Sequence, residues 1–306
     1  MNSFKMKNNL MLILTALIWG CAFVAQSVGM EYVEPFTFNA LRCFMGAIVL
    51  LPLIYVVDRK RTELIKDNKL KEKTPDEKKK ERRTLIVGGI CCGVALTLGS
   101  SLQQMGLVHT TAGKAGFITA LYILIVPVLG IFLGKKAGKK VWIGVAIAVV
   151  GMYLLCVKEG FSIAYGDFLV FLCAIAFSFH ILVIDYFSPK VDGVKLSCIQ
   201  FFVCGIFSSI VVALFENPDP QKILQAWLPL IYAGVLSCGV AYTLQIVAQK
   251  NTDPTVASLI LSLESVFATL AGWIILNERL SAKEFMGCAL VFAAIILVQL
   301  PDKRKN

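Results

Sequence analysis

The chain is built almost entirely of apolar runs long enough to cross a membrane, and this excludes most folds at once. A hydrocarbon core of about 30 Å needs roughly 17 to 25 apolar residues per helical crossing. Runs of that length begin near positions 10, 36, 85, 112, 141, 166, 195, 226, 255 and 285. With 57% hydrophobic and 16% charged residues and a mean hydropathy of +0.74, too little polar surface remains for a conventional water-facing shell. The expected fold class is an all-α integral membrane protein of ten transmembrane helices. The first run follows Lys5 and Lys7 and has the flanks of a secretory signal, but nine further spans make a retained first helix the better reading.

Charge orders the connecting segments. With the N-terminus in the cytoplasm and the sides alternating, the inside segments hold 24 of the 30 Lys and Arg residues, 12 of them in 58–83. The outside segments hold five (Lys114, Lys158, Lys222, Arg279 and Lys283), and Arg42 lies within the second span. This bias places both termini in the cytoplasm. The net charge of +10 therefore follows from topology, and nucleic acid is not an expected partner. Residues 58–83 are predicted to form a solvated cytoplasmic segment, partly helical or disordered, in reach of anionic headgroups.

The ten cysteines all fall inside the apolar runs, and none forms the Cys-x-x-Cys spacing of zinc or redox sites. They read as small apolar packing residues. No metal or cofactor is expected. No Walker motif occurs, so nothing points to ATP hydrolysis by this chain.

The two halves echo each other. "GLVHTTAGKAGFITALY" from Gly106 matches "AQKNTDPTVASLILSLE" from Ala248 in pattern: a polar turn, small residues, then an apolar helix that carries Tyr122 in one copy and Glu264 in the other. The segment from Gly134 matches that from Asn277, with Gly144 on Gly287, and "ALIWGCAF" from Ala16 pairs loosely with "AIAFSFHI" from Ala174. Three matches in the same order imply two five-helix halves, 1–157 and 158–306. Five is odd, so the second half enters the membrane from the opposite side, and such inverted repeats characterise alternating-access transporters.

The ten-helix, five-plus-five arrangement resembles the drug/metabolite transporter superfamily, in particular its EamA-type members. So do "ALIWGCAFVAQ" in the first span, "FNALRCFMGAIVLLPL" in the second and "LILSLESVFATLAGWIILNERLS" across the ninth. The family commonly has Glu-Pro and Gly-Glu-Arg-Leu where this chain has Glu264-Ser265 and Asn277-Glu278-Arg279-Leu280. The resemblance implies a transporter of small metabolites such as amino acids, amines or sugars, often outward, in a plasma membrane. It also implies a structural pairing or interface role for Arg42.

Depth in a span follows from the 1.5 Å rise per residue. Trp19 and Tyr122 are expected near the midplane, and Thr15, Trp19, Ala22 and Gln26 on one helix face. An aromatic platform beside an amide suits a small zwitterionic or aromatic cargo. Gly88, Cys92, Ala95, Gly99, Gln103 and Gly106 form a small-residue face for close helix contact. Gln103, with Gln245 and Tyr242 near the matching position of the second half, is a candidate cavity residue. The substrate-binding candidates are thus Trp19, Gln26, Gln103, Tyr122, Tyr242 and Gln245.

Glu264 lies about 15 Å beyond Pro254 along a straight helix. A carboxylate at that depth is expected to face the interior and either pair with a cation or take up a proton, making Glu264 a gating or coupling candidate and protons a candidate coupling ion. His180, more often a structural donor, and Pro127, a kink and hinge candidate, join it. With two histidines and no His-Glu-x-x-His, no catalytic constellation is present. The leading expectation is a secondary transporter, with a passive channel or lipid flippase as the alternative on the same fold.

Overall fold

A computed structural model describes residues 3–67, 72–135, 138–156, 164–275 and 281–299. Its architecture is all-α. The helices are α1 (Ser3–Gly29), α2 (Pro35–Lys66), α3 (Pro75–Leu107), α4 (Ala112–Phe132), α5 (Lys139–Cys156), α6 (Tyr165–Phe187), α7 (Gly193–Phe215), α8 (Trp227–Gln249), α9 (Pro254–Ile275) and α10 (Ala282–Gln299), with a short helix Pro220–Gln225 before α8. Eight of them, all but α5 and α10, are long and apolar enough to cross a membrane, and α10 contributes the shorter apolar stretch Phe285–Val298. The protein is a multi-pass membrane protein.

Local chemistry sets the helix starts. Thr74 and Glu77 form a reciprocal cap ahead of α3: Glu77 Oε2 accepts from the Thr74 amide at 2.8 Å, and Thr74 Oγ1 accepts from the Glu77 amide at 3.3 Å. Asp192 caps α7 and Asp253 caps α9, the latter with Pro254 in the first turn. Much of the charged segment 58–83 continues α2 and α3 as helix; residues 68–71 lie outside the described residues.

Apolar side chains cover the outside as well as filling the interior, and polar groups are buried among them. Large apolar side chains such as Phe132, Phe215, Leu224 and Phe285 point outward, while Asn39, Gln104, His180 and Gln200 are fully or almost fully enclosed. Lipid is as apolar as leucine, so helix association depends on close packing and on internal polar contacts. The small face of α3 lies along α6 as expected: a side chain added at Gly106 would sit 3.0 Å from the Gly166 carbonyl.

Helices α2 and α7 run antiparallel and are tied at both ends. At one end Glu216, just after α7, accepts from the amides of Phe36 and Thr37 at 2.9 and 2.7 Å and from the Thr37 hydroxyl at 2.7 Å. At the other, Lys195 pairs with Asp58 at 2.6 Å. Helices α4 and α6 run parallel, held by Lys114 to Asp167 at 2.5 Å and by Lys135 to Asp185.

Two helices are interrupted at corresponding points. α4 consists of Ala112–Thr119 and Tyr122–Phe132, and α9 of Pro254–Leu261 and Leu263–Ile275. The shift of 142 that carries Ala112 to Pro254 also carries Thr119 to Leu261 and Tyr122 to Glu264. In α8 the stretch Tyr232–Tyr242 is wound as a π-helix, with no counterpart in α3.

Candidate functional site

The interruptions of α4 and α9 border a cavity inside the bundle. Helix α1 supplies Trp19, Ala22, Phe23 and Gln26; α2 supplies Arg42; α3 supplies Gln103; α4 supplies Thr119 and Tyr122. From the second half come Phe177, His180 and Ile181 of α6, Ser237, Tyr242 and Gln245 of α8, and Glu264 of α9.

All six residues expected from the sequence to bind substrate stand on this one wall, together with Glu264 and His180. Pro127 does not: it is buried within the continuous helix Tyr122–Phe132, and the interruption in α4 falls at 120–121 instead. Thr15 lies just off the wall, its hydroxyl donating to the Ala241 carbonyl at 3.1 Å and the Met11 carbonyl at 2.9 Å. The turn Asn277-Glu278-Arg279-Leu280 lies outside the described residues.

Sequence reasoning missed Phe23, Arg42, Thr119, Phe177, Ile181 and Ser237 as wall residues. For three of them a signal was present. The loose match of Ala16 with Ala174 is a shift of 158, and the same shift carries Trp19, Ala22 and Phe23 onto Phe177, His180 and Ile181.

The aromatic part of the wall is a tight cluster. The rings of Trp19 and Tyr242 lie 4.5 Å apart at 57°, and His180 and Phe201 approach Tyr242 edge-on at 5.9 and 5.8 Å. Such tilted contacts fix ring orientation beyond what burial alone would do. His180 Nε2 meets Gln200 Oε1 at 3.0 Å.

The polar part is incompletely satisfied. Gln103 Nε2 donates to Thr119 Oγ1 at 3.2 Å, and Gln26 Nε2 donates to the Ala22 carbonyl at 3.2 Å. In contrast, Trp19 Nε1, Tyr122 Oη, Gln245 Oε1 and Glu264 Oε1 have no hydrogen-bond partner within the protein. Tyr122 and Glu264 face each other closely enough for their side chains to interact, although neither Tyr122 Oη nor Glu264 Oε1 closes a hydrogen bond. Glu264 is 3% exposed and forms no ion pair among the described residues. A native interior rarely leaves so many groups unmatched without a role for them. The arrangement offers donors, acceptors and a flat apolar surface to one small molecule.

Comparison with known proteins decides the family. The model of the EamA-like transporter family matches residues 6–157 and again 164–300. The chain belongs to the EamA-like transporter family. It is accordingly a transporter and not an enzyme. An uncharacterized transporter of Archaeoglobus fulgidus is 31% identical over 290 residues, covering 94% of this chain and 84% of that one. The uncharacterized inner membrane transporter YedA of Escherichia coli is 21% identical, over 93% of this chain and 88% of its own. A solved crystal structure superposes with a TM-score of 0.73 at 19% identity, covering 95% of this chain and 96% of that one, so the two chains share their fold over nearly their whole lengths.

Proposed function

We propose that the protein is a secondary transporter that exports a small organic metabolite, such as an amino acid or related compound, by alternating access. In this reading α5 and α10 complete ten spans. Residues 1–157 and 158–306 are inverted five-helix repeats, and both termini lie in the cytoplasm of a plasma-membrane protein. Two features support the inversion: α2 and α7, equivalent by the shift of 158, run antiparallel, and basic residues crowd one set of loops. The outward direction follows the family likeness.

The observation that carries the reading is the convergence of both halves on one enclosed wall of unmatched polar groups and stacked aromatics. Interrupted helices at the midplane, where two repeats meet, are where such transporters hold cargo. Trp19 and Tyr242 form the platform for its apolar body; Gln26, Gln103, Tyr122 and Gln245 orient it. Glu264 is the protonatable gate or coupling residue, beside His180.

Counterflow in proteoliposomes tests this. Vesicles loaded with an unlabelled amino acid or related metabolite are expected to accumulate the labelled form transiently, and Trp19→Ala should reduce that uptake at least about tenfold while protein remains in the membrane. Flux without saturation or trans-stimulation establishes the channel instead, and lipid scrambling without metabolite exchange establishes the flippase.

A further inference from the structure

Among the described residues Arg42 is the only arginine or lysine on the cavity wall, and it is 3% exposed. A guanidinium cannot shed its charge, and one enclosed this far normally faces a carboxylate. Here its partners are neutral. Nε donates to Asn39 Oδ1 at 2.9 Å and Nη1 to Gln26 Oε1 at 2.5 Å. The Phe38 ring lies 5.9 Å away. Among the described residues no Asp or Glu pairs with it.

These neutral partners are themselves held in place. Asn39 Nδ2 donates to Ser100 Oγ at 3.0 Å and to Ser208 Oγ at 2.9 Å, so its oxygen is aimed at Arg42 by helices α3 and α7. The guanidinium is thereby clamped along one edge. Nη2 is left with no acceptor among the described residues. The wall thus presents a fixed, charged donor with no protein anion to receive it.

We propose that Arg42 is a specificity-determining residue that holds the carboxylate of the transported molecule through Nη2. The assignment rests on the transporter reading above and narrows its cargo to a small organic acid or zwitterion. A charge-assisted hydrogen bond is roughly twice as strong as a neutral one and gains further in an enclosed, apolar site. A molecule without the carboxylate leaves the guanidinium unmatched, which is the stronger basis for rejection.

The rest of the wall fits a molecule anchored at this point. Tyr122 Oη and Gln245 Oε1 are both more than nine-tenths buried and unpartnered. They offer a donor and an acceptor to the groups that flank a carboxylate, while the Trp19 and Tyr242 rings receive an apolar body. The equivalent of Arg42 under the shift of 158 is Gln200, whose oxygen is engaged by His180 at 3.0 Å. Anion recognition therefore comes from the first half alone.

The test uses the purified full-length chain and thermal stabilisation, because a molecule that binds only the folded state raises its apparent stability. The probes are neutral and acidic amino acids and small mono- and dicarboxylates, each paired with its carboxamide and, for amino acids, with its decarboxylated amine. Carboxylates are expected to stabilise at concentrations at least about tenfold lower than their amides. Arg42→Gln should erase that difference. Equal stabilisation by acid and amide, or a preference that survives Arg42→Gln, overturns the assignment. Should Arg42→Gln not fold, Arg42→Lys decides: it is expected to weaken the carboxylates and leave the amides unchanged, and an equal effect on both overturns the assignment. Stabilisation without carboxylate preference defeats the Arg42 proposal alone; no stabilisation by any probe, with no counterflow, defeats the metabolite reading beneath it as well.

Discussion

Trp19, Ala22 and Phe23 occupy in the first half the positions that Phe177, His180 and Ile181 occupy in the second, and Gln103 and Tyr122 likewise match Gln245 and Glu264. Two EamA-like domains follow one another in the chain, and the chemistry mounted on them differs. Packing keeps part of the two alike. A side chain added at Gly144 would meet the Ala294 carbonyl at 3.4 Å, and one added at Gly151 would meet the Gly287 carbonyl at 2.8 Å. The 143-residue shift that pairs Gly144 with Gly287 turns the first contact into the second. Such contacts tolerate few side chains, so both halves keep small residues there. The cavity wall has free space in front of it, and there the halves have diverged: tyrosine against glutamate, alanine against histidine.

The comparison is most severely tested by sidedness, where the expected effect is all-or-none. Cysteines placed at Lys73 and at Gln221 should be labelled by a membrane-impermeant reagent from opposite sides, Lys73 from the cytoplasm and Gln221 from outside. Labelling of both from one side would mean that the halves share an orientation, and the equivalence of α2 with its antiparallel partner α7 would lose its meaning.

Next in size is the pair Tyr122 and Glu264. Only one of these equivalent side chains carries a carboxyl group, and the two interact with each other across the cavity. Glu264→Gln keeps the shape and removes the titration, so it should fold normally and transport without pH dependence. Tyr122→Phe should retain that dependence and change the rate by less than about tenfold. His180, Tyr242 and Arg42 also face this space, so His180→Gln is the necessary control and should keep the pH profile. An unaltered profile in Glu264→Gln would assign Glu264 to packing.

Part of the cavity wall was legible in the sequence: the face of Trp19, Ala22 and Gln26 from helical spacing, and Tyr242 and Gln245 from the match between the halves. Which face of a helix looks inward was harder to read, because lipid and the bundle interior are both apolar and leave little periodic contrast. Phe177 and Ile181 were missed for that reason. The interruptions at 120–121 and at Ser262 carry neither proline nor an unusual turn sequence, and Pro127, which does, lies in unbroken helix. The π-wound stretch of α8 likewise leaves no mark in composition. The family likeness gives Arg42 a structural pairing or interface role and says nothing about whether its charge is matched.

The smallest expected effect separates Gln103 from Gln245, which share a residue type as well as a position. Gln103 is committed: its amide donates to Thr119 Oγ1 at 3.2 Å and so ties α3 to the first segment of α4. Gln245 is 1% exposed, and its oxygen has no partner. A net hydrogen bond contributes about 0.5–1.5 kcal/mol, roughly two- to tenfold in an equilibrium. Gln245→Ala should therefore weaken cargo binding by that factor and leave thermal stability nearly unchanged. Gln103→Ala should lower thermal stability by a similar free energy, with the smaller effect on binding. Equal loss of binding in both variants, with no difference in stability, would mean that the cargo reads the two amides symmetrically, and that the division between shared packing and a diverged wall stops short of these positions.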